Sequence, residues 1–182
     1  AALAGALAFE STIVYVAITM VLFYTGGMYL NDILDYEIDL RQRAERPLPT
    51  GAIAKPEAWA VTVVLFLLGL LLLGLAGTRP MLAGVALIGA ISLYDAWHKG
   101  NPASPFIMGI TRVLVYVTAF LAFTSELSAL LAIWSAVMLF YIAGLTSIAK
   151  TEHGPSMARY WPVAALFPAV VVAMIDNPSL LT

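Results

Sequence analysis

The sequence predicts an all-α membrane protein, a bundle of transmembrane helices in one domain that covers residues 1–182. Of the 182 residues, 62% are hydrophobic and 11% are charged, whereas soluble domains are about half apolar and a quarter charged. The apolar residues form runs of about 20, the length of a helix that crosses a bilayer. Because these runs are continuous, they lack the alternating pattern of a transmembrane β-barrel.

Six apolar runs follow one another along the chain, and each predicts one membrane-spanning helix. Pro80 is expected to start the third span, since proline is favoured in the first helical turn. Pro162 and Pro168 are expected to kink the sixth span, which membrane helices tolerate. Residues 1–10 are expected to be the remnant of a loop or of an earlier helix. The predicted spans are residues 11–30, 58–76, 81–97, 104–124, 127–149 and 158–175.

The basic residues lie almost entirely on one side of the predicted membrane. Six crossings place the polar loop at about 35–56 on the same side as segments 98–102 and 150–157. The opposite side has only Arg79. Because basic loops stay cytoplasmic, the polar loop is predicted to face the cytoplasm. The residues of the basic side are Arg41, Arg43, Arg46, Lys55, Lys99 and Lys150, with Arg159 at its edge.

Composition also excludes several classes of function. The chain has no cysteine, which rules out disulfides, thiolate metal sites and cysteine nucleophiles. A net charge of −2 gives no reason to expect a nucleic-acid partner. Membrane lipids are the partners that this composition predicts.

The first span ends in the acidic segment that carries most of the functional information. At about 100° per residue in a helix, Asp32, Asp35 and Asp39 lie within about 60° of one another, and Glu37 points away. Carboxylates at a membrane need a compensating cation. Mg²⁺ suits such oxygen ligands and is held by one or two carboxylates together with substrate phosphates. We therefore predict that the three aspartates bind Mg²⁺ and act in catalysis. The alternative is a solvated helix end paired with nearby arginines.

A stiff basic turn follows the acidic segment, and Arg46 can clamp a phosphate with its planar guanidinium. The run NDxxDxxxD that begins at Asn31, followed by the run RPLPxG that begins at Arg46, closely resembles the UbiA superfamily of intramembrane prenyltransferases. The resemblance implies a helical bundle with a cytosol-facing cavity, in which aspartates bind Mg²⁺ and a prenyl diphosphate. The prenyl group then passes to an aromatic or other lipophilic acceptor. The family has more helices than are predicted here, which implies a chain incomplete at both ends.

Two further spans carry candidate substrate-binding residues. Arg112 lies inside the fourth span, where an arginine needs a carboxylate, carbonyl or phosphate partner, and Tyr116 lies one turn further on. Snorkelling of Arg112 to the surface is the alternative. Lys99 ends the third span in a segment similar to the family's Tyr-x-x-x-Lys motif. It is predicted to meet the diphosphate, or else to anchor the helix end. His98 could be the cation instead, or a helix cap, and Asp95 could neutralise Lys99 or join the aspartates.

The second acidic motif of the family is altered in this chain. Thr146 lies where an aspartate is expected, only Glu152 remains acidic, and Lys150 brings a positive charge. Lys150 and Glu152 are predicted to bind substrate, with Lys150 doing part of the work of a second Mg²⁺. An ordinary cytoplasmic anchor is the alternative. This region, with the WHKGNP run that begins at Trp97, is also similar to the EboC-like branch, which implies a bacterial product linked to secondary metabolism.

The sequence thus predicts a Mg²⁺-dependent prenyltransferase of the bacterial inner membrane. The alternative is a non-catalytic isoprenoid- or lipid-binding protein, or a transport-associated one, that keeps the same fold. A phosphatidyl-alcohol transferase is disfavoured because the chain has no Asp-Gly-x-x-Ala-Arg run. Several aromatic side chains could line a cavity for the isoprenoid chain, although most are expected to serve helix packing. These residues are Phe23, Tyr24, Phe106, Tyr116 and Phe120.

Overall fold

The computed structural model describes residues 2–124, 127–151 and 161–176, and every regular element in these ranges is an α-helix. The all-α prediction is therefore confirmed. Five of the helices are long and apolar enough to cross a membrane: α1 from residue 9 onward, α3, α4, α5 and α6. The helices are α1 (Ala2–Leu34), α2 (Tyr36–Gln42), α3 (Lys55–Ala76), α4 (Thr78–Trp97), α5 (Ser104–Leu121), α6 (Ala129–Thr151), α7 (Trp161–Ala164) and α8 (Phe167–Asp176).

The predicted spans differ from the structure mainly near the two ends of the chain. Residues 2–10 continue α1 and form neither a loop nor an earlier helix, so that expectation was wrong. The sixth predicted span is two short helices, α7 and α8, separated by a turn at residues 165–166. Pro168 lies in the first turn of α8, and because proline has no N–H it cannot continue a helix arriving from α7. The predicted kink is thus a full interruption; residues 158–160 lie outside the described ranges.

The bundle is closed by tight contacts between α1 and α3. Phe23 of α1 is only 1% exposed and lies in an apolar cluster with Leu73 of α3 and Leu87 of α4. A Cβ atom at Gly69 would overlap the ring of Phe23, so glycine allows this close approach. Nearby, the hydroxyl of Thr19 donates a hydrogen bond to the carbonyl of Gly69 at 3.2 Å. Small residues at helix interfaces are typical of membrane bundles.

The outer surface of α3 shows why the bundle needs a lipid environment. Leu67, Leu71 and Leu75 follow one another at four-residue intervals and are 60%, 62% and 63% exposed. Residues four apart lie on one face of a helix, so they form a continuous apolar stripe. Soluble monomers rarely expose such stripes. This surface and the five long apolar helices describe a protein that crosses the membrane several times.

The connections divide the bundle into two ends. Gly77 alone joins α3 to α4, with a φ of +141° that glycine adopts without steric cost. Because α3 and α4 pack against each other across this turn, residues 43–54 and 98–103 lie together at the opposite end. That end carries the ion pairs and is called the polar end below.

Candidate active site

A cavity of about 660 Å³ opens between α1, α4 and α5. Its volume lies within the range of about 300–1,000 Å³ that is usual for small-molecule sites. The deeper part is lined by apolar and aromatic side chains, and the polar end is lined by charged and amide groups. The lining residues are Met20, Phe23, Tyr24, Gly27, Met28, Asn31, Asp32, Arg46, Leu87, Ile91, Tyr94, Asp95, His98, Met108, Thr111, Arg112 and Val115.

The acidic segment spans the junction of α1 and α2. The amide of Asp35 donates to the carbonyl of Asn31, and the amide of Asp39 donates to the carbonyl of Asp35, both at 2.9 Å. Helical spacing is therefore kept across the short interruption at Asp35. The side chain of Asp32 is 44% exposed toward the cavity, whereas that of Asp39 is only 4% exposed. The segment thus presents one accessible and one buried carboxylate.

Arg46 binds both of these carboxylates through one nitrogen atom. Its Nη1 lies 2.9 Å from Oδ1 of Asp32 and 2.8 Å from Oδ2 of Asp39. Because one atom contacts both oxygens, the two carboxylates face a common point. Charge-assisted hydrogen bonds of this length are among the stronger polar contacts in proteins. The positive charge of Arg46 therefore compensates Asp39, which could not remain charged and buried alone.

The loop after α2 holds Arg46 in place. Leu48 is 7% exposed and packs in an apolar cluster with Ile33 and Ala58. The amide and the hydroxyl of Thr50 both donate to the carbonyl of Arg46, each at 3.0 Å. A buried leucine and two hydrogen bonds thus fix the backbone of Arg46, while its long side chain remains the adjustable part.

The third aspartate has a different partner. Oδ1 of Asp35 lies 2.5 Å from Nζ of Lys99, which lies two residues after the end of α4. Glu37 points away from the site, as the helical spacing predicts: its side chain is 75% exposed and lies 3.9 Å from Nζ of Lys55. In the structure, therefore, Asp32 and Asp39 both form ion pairs with Arg46, and Asp35 forms an ion pair with Lys99.

Asp95 adds a fourth carboxylate to the polar end of the cavity. Its Oδ1 accepts a hydrogen bond from the side-chain amide of Asn31 at 3.4 Å. Its Oδ2 is buried and has no hydrogen-bond partner within the described ranges.

His98 stacks on Tyr94, and its Nδ1 lies 3.1 and 3.2 Å from the carbonyls of Tyr94 and Asp95. Both partners are acceptors, so Nδ1 carries the proton and His98 caps the end of α4.

Arg112 faces the cavity from α5. It lies two turns into the helix, and among residues 2–124, 127–151 and 161–176 it has no ion-pair partner. An arginine at such a position favours an anionic partner. Tyr116, one turn further on, is 54% exposed and does not line the described part of the cavity. The structure thus supports a ligand contact for Arg112 more than for Tyr116.

Lys150 lies at the polar end, but its ammonium group is already hydrogen-bonded to residues that follow α4 and to the start of α5. Its Nζ donates to the carbonyls of His98 at 3.2 Å and Asn101 at 3.3 Å, and to the hydroxyl of Ser104. It is not among the residues that line the described cavity. Glu152 lies outside the described residues. The substrate-binding roles of Lys150 and Glu152 stay predictions.

The paired carboxylates of Asp32 and Asp39 fit a magnesium ion that is shared with a substrate. They offer oxygen ligands that face one point, and Mg²⁺ usually takes one or two carboxylates plus substrate phosphates. Within the described part of the chain, no three acidic or histidine side chains gather into a metal-binding group. The arrangement thus suits Mg²⁺ held jointly with a diphosphate, with Asp35 bound to Lys99. That all three aspartates bind the metal stays a prediction.

Several cavity residues were missed by the sequence analysis. Phe23 and Tyr24 line the cavity as the aromatic pattern suggested, whereas Phe106 and Phe120 do not line its described part. Residues three or four positions apart lie on the same face of a helix. The missed residues extend, at these spacings, the cavity-facing sides of α1 and α5, which already carry Asn31 and Arg112. On α1, for example, the face of Asn31 continues through residues 28, 27, 24 and 20. The missed residues include Met20, Met28, Met108 and Thr111.

The fold and the site define a membrane helical bundle with an apolar cavity that has aspartates and basic side chains at its polar end. The chain belongs to the UbiA prenyltransferase family, which matches residues 1–160. The resemblance found in the acidic motif is therefore confirmed.

Similar proteins include digeranylgeranylglyceryl phosphate synthases of archaea. That of Sulfolobus acidocaldarius is 36% identical over 51% of this chain and 34% of its own length. That of Methanoregula boonei is 37% identical over 56% of this chain and 38% of its own length. That of Saccharolobus solfataricus is 29% identical over 74% of this chain and 48% of its own length. The chain thus spans about a third to a half of these relatives.

The fold is also similar to a solved structure from work on digeranylgeranylglyceryl phosphate synthase in membranes. The two share 26% identity with a TM-score of 0.69, over 92% of this chain and 63% of the other. The narrower similarity to the EboC-like branch is not tested by these relatives and stays a prediction.

Proposed function

We propose that this protein is a Mg²⁺-dependent intramembrane prenyltransferase. The cavity carries the proposal, because it joins an apolar chamber to a polar end, and Asp32, Arg46 and Arg112 all line it. A prenyl chain fits the apolar part, and a diphosphate fits the charged end. Asp32 and Asp39 hold the magnesium ion in this scheme.

The diphosphate contacts are assigned to Arg46, Lys99 and Arg112, with Asn31 beside them. Arg46 and Arg112 line the cavity, and Lys99 lies on Asp35 at the same end. Fixed positive groups aimed at a leaving diphosphate stabilise the charge that develops on it, which is usually the largest contribution to catalysis. Bound Mg²⁺ supplies further charge stabilisation at the phosphoryl oxygens.

The reaction is a substitution at the first carbon of the prenyl chain. A nucleophilic atom of the acceptor forms a bond to that carbon, and the carbon–oxygen bond to diphosphate breaks. The diphosphate leaves with the electron pair, and the acceptor loses a proton. Asp95 is the residue that we propose takes this proton, because it lines the cavity and, unlike Asp32 and Asp35, has no ion pair among the described residues.

The relatives suggest the class of substrates. Their name describes enzymes that make a glyceryl phosphate carrying two geranylgeranyl chains. We therefore propose a long-chain prenyl diphosphate as donor and a lipophilic acceptor for this protein. Because the chain spans only part of those relatives, a glyceryl phosphate acceptor is one choice within that class.

Incubation of the full chain in lipid vesicles with labelled geranylgeranyl diphosphate, Mg²⁺ and a lipid extract tests this function. The expected result is a labelled lipid and released diphosphate, both lost when EDTA removes the metal. Asp32→Asn is the inactive control. Binding of the donor without transfer to any acceptor would favour the non-catalytic isoprenoid-binding alternative, for which the altered second motif at Thr146 is the supporting observation.

The proposed location is the bacterial inner membrane, with the polar end toward the cytoplasm. The concentration of Lys and Arg at that end supports this orientation, since basic loops stay cytoplasmic. Single cysteines introduced at Gln42 and at Thr78 should react with a membrane-impermeant thiol reagent from opposite sides of sealed vesicles. Reaction of both from one side would contradict this topology.

A further inference from the structure

The two carboxylates that would hold a metal are already bound to a cation of the protein itself. Nη1 of Arg46 lies 2.9 Å from Asp32 and 2.8 Å from Asp39. We propose that Arg46 is a resident counter-ion that excludes divalent metal from this carboxylate pair until a diphosphate arrives to bind the guanidinium. This inference rests on the proposed function and adds an order of events to it.

Mutual exclusion follows from the shared position. Oxygen ligands lie about 2.0–2.1 Å from Mg²⁺, and the guanidinium nitrogen occupies the point that both carboxylates face. A metal ion and this nitrogen cannot both contact the same two oxygens, because two positive charges would meet there. Arg46 must therefore move aside before Asp32 and Asp39 can bind a metal together.

Burial makes the exclusion strong. The side chain of Asp39 is only 4% exposed, so it cannot lose its cation to water at low cost. Metal alone would have to displace Arg46 and leave this guanidinium without an anion. A diphosphate removes that cost, since it offers Arg46 new oxygens as the metal takes the carboxylates.

Arg46 is built for such an exchange. Its backbone is fixed through Leu48 and Thr50, but its side chain is 30% exposed and lines the cavity. A guanidinium has five N–H donors, and only Nη1 is used in the two ion pairs. Arg46 can therefore turn toward a diphosphate without unfolding the loop. Metal and diphosphate then bind cooperatively, because both require Arg46 to leave the two carboxylates. Once one of them has moved Arg46, the other binds at lower cost.

The test compares the wild type with Arg46→Gln and with Arg43→Gln, in the full chain in nanodiscs. Arg43 is an exposed arginine of the same segment with no ion pair among the described residues, so its variant matches the loss of charge. Mn²⁺ serves as the metal probe, since its binding can be read by electron paramagnetic resonance. Inorganic diphosphate serves as the second ligand, and its affinity is measured at saturating Mn²⁺.

The two affinities should change in opposite directions in Arg46→Gln. We expect Mn²⁺ alone to bind about tenfold more tightly and diphosphate about tenfold more weakly, within the usual range of coupling between two sites. Arg43→Gln should change neither by more than about twofold. A loss of both affinities, or unchanged Mn²⁺ binding with weaker diphosphate binding, would overturn the inference and leave the proposed function standing. If the wild type binds no Mn²⁺ even with diphosphate, both are wrong.

A second measurement needs no variant and covers the case in which Arg46→Gln does not fold. Phenylglyoxal modifies accessible arginines, and peptide mass spectrometry can follow Arg46 with Arg43 as the internal reference. In the wild type, Mg²⁺ alone should leave the modification of Arg46 unchanged, because Arg46 keeps the metal out, whereas Mg²⁺ together with diphosphate should protect Arg46. Modification of Arg46 that rises with Mg²⁺ alone, or that Mg²⁺ and diphosphate together do not suppress, would contradict the proposal.

Discussion

The acidic segment at the junction of α1 and α2 and the last turns of α6 both bring charged groups to the polar end, but they bind different partners. In the acidic segment, Asp32, Asp35 and Asp39 are paired with side-chain cations from a loop and from the end of α4. In α6, Lys150 donates to two backbone carbonyls and a hydroxyl. The acidic segment thus forms ion pairs whose partners a ligand can replace, whereas Lys150 holds α6 against the residues between α4 and α5.

The partners of a charged side chain indicate whether it can bind a ligand or serves the fold. A carboxylate held by a flexible side chain can exchange that partner for a metal or a phosphate group. A lysine whose protons go to backbone carbonyls has partners that cannot move away without opening the fold. Arg46 lines the cavity and Lys150 does not line its described part, which agrees with this distinction.

The largest expected effect comes from removing the accessible carboxylate of the first region. We expect Asp32→Asn to weaken Mg²⁺-dependent binding of a prenyl diphosphate at least about 100-fold, equivalent to about 2.7 kcal/mol. Asp32 is the cavity-lining member of the pair that fits the metal. Isothermal titration of the full chain in detergent measures this affinity. Glu37→Gln is the matched control, since Glu37 points away from the site. Equal losses in both variants would show that the shared face of the aspartates does not matter.

Removing the cation of the second region should change stability instead of ligand affinity. Lys150→Ala deletes the donor of three hydrogen bonds between α6 and residues 98–104. We expect the free energy of unfolding to fall by about 1–2 kcal/mol, the scale of such bonds at a partly exposed site. Thermal unfolding in detergent reports this change. Diphosphate affinity should stay within about twofold; a loss of about 1.5–3 kcal/mol would instead support the substrate role predicted from the sequence.

Arg112 gives an intermediate case, because it faces the cavity without an ion pair in the described residues. We expect Arg112→Met to weaken diphosphate binding about tenfold, equivalent to about 1.4 kcal/mol, and to leave thermal stability unchanged or higher. Methionine keeps an unbranched apolar stem and removes the charge. Arg41→Met, at the exposed end of α2, is the control for net charge. Lower stability with unchanged diphosphate affinity would mean that Arg112 has a structural partner.

Much of this site could be predicted because it depends on local order along the chain. The shared face of the aspartates and the outward direction of Glu37 follow from helical spacing alone. The common family also follows from the motif around Asn31 and the RPLPxG turn. Features that depend only on neighbouring residues in the sequence can be predicted without knowing how the helices pack.

The specific pairings could not be predicted, because they depend on which helix ends meet. Nothing in the spacing says that Asp35 contacts Lys99, since those residues are far apart in sequence and their contact depends on how α1 and α4 pack. The partners of Lys150 likewise require α6 to lie beside the connection from α4 to α5. Even the local interruption between α7 and α8 was predicted only as a kink, because the proline pattern does not fix the size of a break.

The smallest expected effect concerns Ser147, which lies in the altered motif where the family would have acidic chemistry. Its hydroxyl donates to the carbonyl of Ala143 at 2.7 Å, a bond within its own helix that slightly disfavours or bends helices rather than stabilising them. We therefore expect Ser147→Ala to change the free energy of unfolding by less than about 0.5 kcal/mol. Diphosphate affinity should not change, because the hydroxyl already has a backbone partner. Thermal unfolding and titration with diphosphate check the two halves of this expectation. A clear loss of affinity in Ser147→Ala would place α6 in the ligand site, and the contrast between the two regions would no longer hold.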